Sequence, residues 1–280
     1  MVKKVLVTGG GGYIGRFVVD EFANQGFDVL VADSKYVSKH ENVTVVDQDI
    51  FSGESDIFEK IGAPDILVHL AWRDGFKHNS DSHIDNLPNH YHFIRDMLDG
   101  GLQHLVTMGT IHEVGYHEGA VDQNTPVNPE SPYGIAKNTM RQFSELLAAK
   151  QDVTFQHIRA YYITGDDARS QSVFGKILEA SARGDATFPF VTGDKQYDFI
   201  DVKELARQIV AVASQGEVNG IINCCSGVPM RLADRVEQFI TENNLNIKLE
   251  YGVFPDRPYE SPVVYGDATK VEKILSRETA

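Results

Sequence analysis

The first half of the chain alternates short apolar runs with amphipathic stretches: VKKVLVT, a helical period from about Tyr13 to Asn24, FDVLVAD, VTVVD, a helical connection and DILVHLA. That alternation is the sequence form of parallel strands joined by crossover helices. HLVTMG adds a strand, and Ser131 to Lys150 adds a long helix opened by Ser-Pro, since proline is tolerated in a first helical turn. With FQHIRAYYI as a further strand, roughly six strands fall in about 160 residues, which predicts an α/β, doubly wound Rossmann sheet with one binding crevice.

The second half is less regular. Helical periods span Val173 to Ala182, Val202 to Ala213 and Leu232 to Glu242, while GIINCCS and IKLEYGV read as strands. The Gly/Pro-punctuated stretch ARGDATFPFVTGDKQYDFI separates the first two of these helices. No repeat or flexible linker divides the chain, so a smaller α/β substrate-binding domain is expected to be interleaved with the first. The expected division is residues 1–163 with 195–225 for the dinucleotide, and 164–194 with 226–280 for the substrate.

A formal net charge of −14 argues against nucleic acid or anionic lipid as a partner, because phosphate surfaces are bound by clustered Lys and Arg. A local basic pocket for one phosphorylated ligand stays open. No run approaches the ~20 apolar residues of a membrane span. The opening apolar run stops at Val7 in glycines and so reads as a strand, not a secretory signal. The two cysteines, Cys224 and Cys225, are adjacent. That spacing suits neither a structural disulfide nor a metal site, so reduced core residues in a cytoplasmic protein are expected, with no metal.

Candidate chemistry begins at VLVTGGGGYIGRFVVDEFANQGFDVLVAD. Gly9, Gly12 and Gly15 follow a strand and open a helix, where missing side chains let backbone N–H groups approach a pyrophosphate. With Tyr13 and Ile14 between them they form a candidate cofactor turn. A glycine string alone can be a tight turn, but Asp33 ends the next strand, as dinucleotide recognition requires. Asp33 can accept from ribose hydroxyls and favours NAD(H); Lys35 and Lys39 could neutralise a 2′-phosphate, so NADP(H) stays open. Asp49 and Ile50 after the third strand, and Leu70, Ala71 and Trp72 after the fourth, are further cofactor candidates.

In SPYGIAK, Tyr133 and Lys137 are four residues apart. On a helix this puts both on one face, where an ammonium can stabilise a phenolate and make the tyrosine a proton-transfer group. Thr110, after the fifth strand, could bond the same substrate oxygen, with His112 and Glu113 in the same loop as sugar-contact candidates.

These residues resemble the extended short-chain dehydrogenase/reductase family of NAD-dependent nucleotide-sugar epimerases, dehydratases and reductases. The landmarks occur in order: TGGGGYIG, the GTxxE loop, PESPYGIAK, and IRAYYITG followed by YDFIDVKELA, covering essentially the whole chain. The resemblance implies that the catalytic Ser/Thr, Tyr and Lys fall on Thr110, Tyr133 and Lys137, also cofactor contacts in the latter two cases. It further implies a nucleotide-sugar substrate and a homodimer formed through two helices of the Rossmann domain. In FPDRPYESPVVYGD it puts Arg257 on the diphosphate, where a bidentate contact is chemically sensible, and Glu260 near the nucleoside sugar.

The departures are informative. Tyr162, a substrate-contact candidate, stands where many epimerases carry Asn, and Tyr197 where many members carry Arg. Ile111 and His112 follow Thr110 where dehydratases carry an Asp-Glu pair, which disfavours dehydration. Within the family the chain looks most like reductases that convert dTDP-4-dehydro-6-deoxyglucose to dTDP-D-fucose, and neighbouring dTDP-6-deoxytalose dehydrogenases. The implied reaction is NAD(P)H-dependent reduction of a C4 ketone, with Tyr133 as proton donor. A nucleotide-sugar 4-epimerase with tightly held NAD and a non-catalytic dinucleotide-binding regulator are the alternatives.

Overall fold

The computed structural model describes residues 2–33, 35–165, 172–255 and 260–278. Its strands are β1 (Lys4–Thr8), β2 (Asp28–Ala32), β3 (Val43–Val45), β4 (Ile66–His69), β5 (His104–Thr110), β6 (Gly119–Val121) and β7 (Thr154–Ala160). They continue as β8 (Tyr162–Thr164), β9 (Thr187–Pro189), β10 (Gln196–Asp201), β11 (Gly220–Cys224), β12 (Pro229–Arg231), β13 (Lys248–Glu250) and β14 (Val263–Gly266). The helices are α1 (Gly15–Asn24), α2 (Ile57–Ile61), α3 (Ser82–Asp85), α4 (Leu87–Gly100) and α5 (Pro132–Lys150). Then follow α6 (Val173–Ala182), α7 (Val202–Ala213), α8 (Leu232–Glu242) and α9 (Thr269–Glu278).

Seven parallel strands form the main sheet in the order β11-β7-β5-β4-β1-β2-β3. Side chains alternate across it: Val5, Val7, Ile66 and Val68 join a core on one face, while Leu6 and Leu67 join a core on the other. Each such burial stabilises the fold by roughly 1.5–3 kcal/mol, which makes both faces adhesive to helices. The expected doubly wound α/β fold is therefore the observed one. Its strand order reverses at β1, so the connections that follow the paired β1 and β4 lead to opposite halves of the sheet, the switch point at which open α/β sheets take their ligands.

A second sheet, β12-β10-β14-β6 with β8 on β10, lies beyond the first, and β13 pairs β9 separately. FQHIRAYYI is thus not one strand: β7 ends at Ala160 in the main sheet, and β8 resumes at Tyr162 in the second. The expected division needs two corrections. Strand β10, assigned to the dinucleotide half, is central to the second sheet. Helix α9, assigned to the substrate half, packs on α7 and β11, with Val271 and Ile274 in the main core. The fully buried Asp198 carboxylate fastens the second sheet, accepting from the Ser226 N–H and hydroxyl at 2.8 and 2.6 Å, Gly227 N–H at 3.0 Å and Gly266 N–H at 3.1 Å. Cys224 and Cys225 are buried and free, as read from their adjacency.

Candidate active site

The glycine turn sits at the crevice, and steric room explains its composition. Gly9 has φ +70°, and a Cβ there would stand 2.9 Å from the backbone of Ala71; a Cβ at Gly15 would stand 2.1 Å from the Gly9 carbonyl oxygen. The Gly12 N–H donates to that carbonyl at 3.0 Å and closes the turn. Asp33 accepts from the Gly11 and Lys35 N–H groups at 3.0 and 2.9 Å. A carboxylate has about four lone-pair sites, so capacity remains for ribose hydroxyls. A side-chain-free turn, exposed at Gly11 and Gly12, beside an acid at the end of β2, fits NAD(H).

Other cofactor candidates surround this turn at different depths. Tyr13 donates its hydroxyl proton to the Gly165 carbonyl, and Ile14 packs on the main core. Leu70 and Ala71 follow β4 against Gly9. Asp49 is exposed and caps its own turn by accepting from the Phe51 N–H at 2.9 Å, while Ile50 packs on the second face of the sheet. Lys35 and Lys39 are both exposed.

Thr110 ends β5, and α5 begins as Ser131 caps the Gly134 N–H at 3.2 Å with Pro132 in the first turn. This start places Tyr133 one turn before Lys137, and the Thr110 hydroxyl hydrogen-bonds the Tyr133 phenol. Burial pushes the phenol pKa up, and the Thr110 hydrogen bond opposes that shift. Lys137 is 3% exposed; burial lowers its pKa to about 7, against a smaller upward push from the negative charge of Glu113. Its ammonium donates to the Met108 carbonyl at 2.9 Å and lies 5.9 Å from the centre of the Tyr133 ring. Threonine, phenol and ammonium therefore converge, as proton transfer to a carbonyl oxygen requires.

Glu113 departs from its expected role. It is fully buried, and its carboxylate accepts from the Thr110 N–H at 2.9 Å and faces His157 Nε2 at 3.0 Å and Arg159 Nε at 3.6 Å. A carboxylate enclosed beneath the loop cannot meet a sugar; it positions Thr110 instead. Burial raises its pKa, but His157, Arg159 and the Thr110 amide outweigh burial and hold it below the usual carboxylate value. His112 stays half-buried near the tyrosine, its ring 6.0 Å from that of Tyr133, and burial, helped by His78, lowers its pKa to about 4.

Histidines not singled out by motif also meet here. His78 stacks on Tyr133 with ring centres 4.9 Å apart and planes 8° from parallel, and its carbonyl accepts the Tyr133 N–H at 3.0 Å. His83 and His90 flank Trp72. Half of the ten histidines fall between positions 69 and 92, a compositional signal that could have found this wall.

The two departures from the family pattern touch: Tyr162 and Tyr197 pack with ring centres 4.2 Å apart. The Tyr197 hydroxyl donates to Glu260 at 3.4 Å, and Lys195 pairs with the same carboxylate at 3.3 Å. Tyr162 and Glu260 are thus joined through Tyr197; Arg257 lies outside the described residues.

A dinucleotide turn at the switch point, with a threonine, tyrosine and lysine converging nearby, defines a nicotinamide-dependent enzyme of the oxidoreductase type. The chain belongs to the NAD dependent epimerase/dehydratase family, whose model matches residues 5–225. It is 41% identical over 267 residues to the dTDP-6-deoxy-L-talose 4-dehydrogenase (NAD(+)) of Aggregatibacter actinomycetemcomitans, covering 94% of this chain and 98% of that one. This relative falls in the second of the two groups named from sequence, the talose dehydrogenases. A putative UDP-glucose 4-epimerase of Methanocaldococcus jannaschii is 23% identical, covering 96% of this chain and 92% of the relative.

Among solved structures, the UDP-N-acetylglucosamine 4-epimerase from Methanobrevibacter ruminantium M1, in complex with UDP-N-acetylmuramic acid, superposes with a TM-score of 0.84 at 21% identity, covering 98% of this chain and 92% of that one. Bordetella bronchiseptica WbmG, in complex with NAD, gives 0.79 at 17%, covering 99% and 88%. At these identities the likeness speaks to the fold.

Proposed function

We propose that the chain interconverts a C4 ketone and a C4 carbinol on a dTDP-linked 6-deoxyhexose, using NAD(H). The observation that carries this reading is the 41% identity along nearly the whole length of both chains to a dTDP-6-deoxy-L-talose 4-dehydrogenase, in a protein that also assembles Thr110, Tyr133 and Lys137. NAD(H), when bound, supplies or accepts the hydride. Tyr133 gives its phenolic proton to the sugar oxygen in reduction and takes it back in oxidation. Thr110 holds that oxygen, and Lys137 stabilises the phenolate that remains. Asp33 favours the cofactor without a 2′-phosphate by charge repulsion.

In this reading the sugar nucleotide lies against His78, His112 and the Tyr162–Tyr197–Glu260 group. A cytoplasmic homodimer completes the reading: Leu146, Ile135 and Tyr91 on α5 and α4 are 66, 44 and 36% exposed and supply an apolar face. A monomeric mass in sedimentation would remove the dimer.

The test is absorbance of NADH, and separately NADPH, with dTDP-4-dehydro-6-deoxyhexose, together with NAD⁺ reduction by dTDP-6-deoxytalose. One reduced cofactor consumed per C4 carbinol formed supports the proposal. No consumption by a folded, NAD-binding protein sinks it. The 4-epimerase reading draws on the M. jannaschii relative; product inverted at C4 without net cofactor turnover would establish it.

A further inference from the structure

The Lys137 ammonium is almost fully buried and makes no ion pair among the described residues. Besides the Met108 carbonyl, its close companion is the Trp72 ring, whose centre lies 3.9 Å from Nζ. That ring is itself held on two sides. The indole N–H donates to His83 Nδ1 at 3.0 Å, which leaves the His83 Nε2–H to donate to the Lys77 carbonyl at 3.0 Å. His90 stacks on the indole with centres 4.6 Å apart and planes 19° from parallel.

Behind His90, its Nδ1 is 2.8 Å from His69 Nε2, and His69 Nδ1 is 2.9 Å from the hydroxyl of Thr8, the residue before the glycine turn. A continuous set of contacts thus links the dinucleotide turn to the lysine. We propose that Trp72 is a positioning residue for Lys137: the indole face holds the ammonium in place and charged beside Tyr133, where water cannot.

The surroundings agree with this role. The titratable groups that Lys137 feels or acts on are His69 on β4, His90 on α4 and Glu113 after β5, with Tyr133 on its own helix; His83 on α3 meets the Trp72 and Tyr133 rings beside it. His69 and His90 are kept neutral, by burial first and then by the charge of Lys137, with His90 also acting on His69. They add no positive charge against the ammonium. Glu113 supplies negative charge from a distance, its oxygens already engaged by Thr110 and His157. The Trp72 face is the remaining desolvated partner for a cation, and losing such a contact should move the lysine's titration down by about one pH unit.

Trp72 is the only tryptophan in the chain, so its emission reports on this contact directly. In the wild-type protein, tryptophan emission should show a transition in the neutral to mildly alkaline range that disappears in Lys137→Met. Flat emission, or the same transition in Lys137→Met, overturns the proposal. With NAD(H) and substrate, Trp72→Phe should keep most of kcat/KM, whereas Trp72→Leu should lose at least tenfold and shift its alkaline limb down by about one unit. Equal losses with an unmoved limb would reduce Trp72 to packing and overturn it too. The proposal rests on Lys137 serving Tyr133. The emission titration needs no turnover, so failure of the pairing appears there, whereas failure of that reading appears as normal kcat in Lys137→Met and takes the proposal with it.

Discussion

Acidification from about pH 7.5 to about pH 5.5 should destabilise the fold by about 3 kcal/mol through His69 and His90 alone. Both are buried, at 1 and 2% exposure. Burial is the first cause that depresses them, followed by charge: His90 and then Lys137 for His69, and Lys137 for His90, which falls from 6.5 to about 3. A folded value below the unfolded one means that the stability of the neutral ring is present above pH 6.5 and is lost as pH falls below it. One unit below the unfolded value, the unfolded chain is protonated about ten to one while the native ring stays neutral, a cost of about 1.4 kcal/mol per histidine.

His104 and His157, also depressed chiefly by burial, act in the same direction. Against a net stability of roughly 5–15 kcal/mol, this loss is large. Urea unfolding followed by circular dichroism at the two pH values measures it. His90→Gln should reduce the difference by about 1.4 kcal/mol, because one suppressed titration is gone. Equal unfolding free energies at the two pH values, or an unchanged difference in His90→Gln, would refute the reasoning.

Tyr133→Phe should lower kcat by about 10²–10⁴-fold and leave NAD(H) binding largely intact; a loss under about tenfold would move the proton donor elsewhere. Gly15→Ala pushes a methyl to 2.1 Å from the Gly9 carbonyl, so NAD(H) affinity by equilibrium titration should collapse, and a preserved Kd would contradict the assigned cradle. Glu113→Gln leaves the fully buried Arg159 guanidinium without its countercharge; a loss of about 3 kcal/mol, or roughly 5–10 °C in Tm, is expected by thermal unfolding. An unshifted Tm would mean that the cluster contributes no net stability.

The main sheet was legible because parallel strands buried on both faces read as continuous apolar runs, as KVLVT and ILVH do. Helices α6 and α7 matched their expected spans because Ser172 and Asp201 cap periodic segments. The second sheet was not legible. Strands β6, β8, β12 and β14 have three or four residues each, too few for a period to register, and their partners are remote in sequence.

The same distinction divides the site. Tyr133 and Lys137 are a local spacing on one helix, and the glycine turn lies between a strand and the helix it opens. Glu113 was expected at the sugar because its loop neighbours point there, yet its fate is decided by His157, 44 positions away on β7. The histidine wall went unread because its contacts are tertiary: His69 on β4 meets His90 on α4, and His78 and His83 meet Tyr133 only when the segment after Trp72 folds onto α5.

Strand β14, at residues 263–266, has its parallel partner at 119–121, and the buried Asp198 carboxylate accepts from Gly266. During synthesis on a ribosome, the six main-sheet strands up to β7 are made by residue 160, whereas the second sheet is complete only after more than a hundred further residues, when β14 joins β6 to β10. Pairings so distant in sequence are slow to find. The nascent chain therefore completes the greater part of its dinucleotide scaffold first and exposes the unpaired edges of β6 and β10 longest, so that interval is where chaperone engagement or misassembly would concentrate.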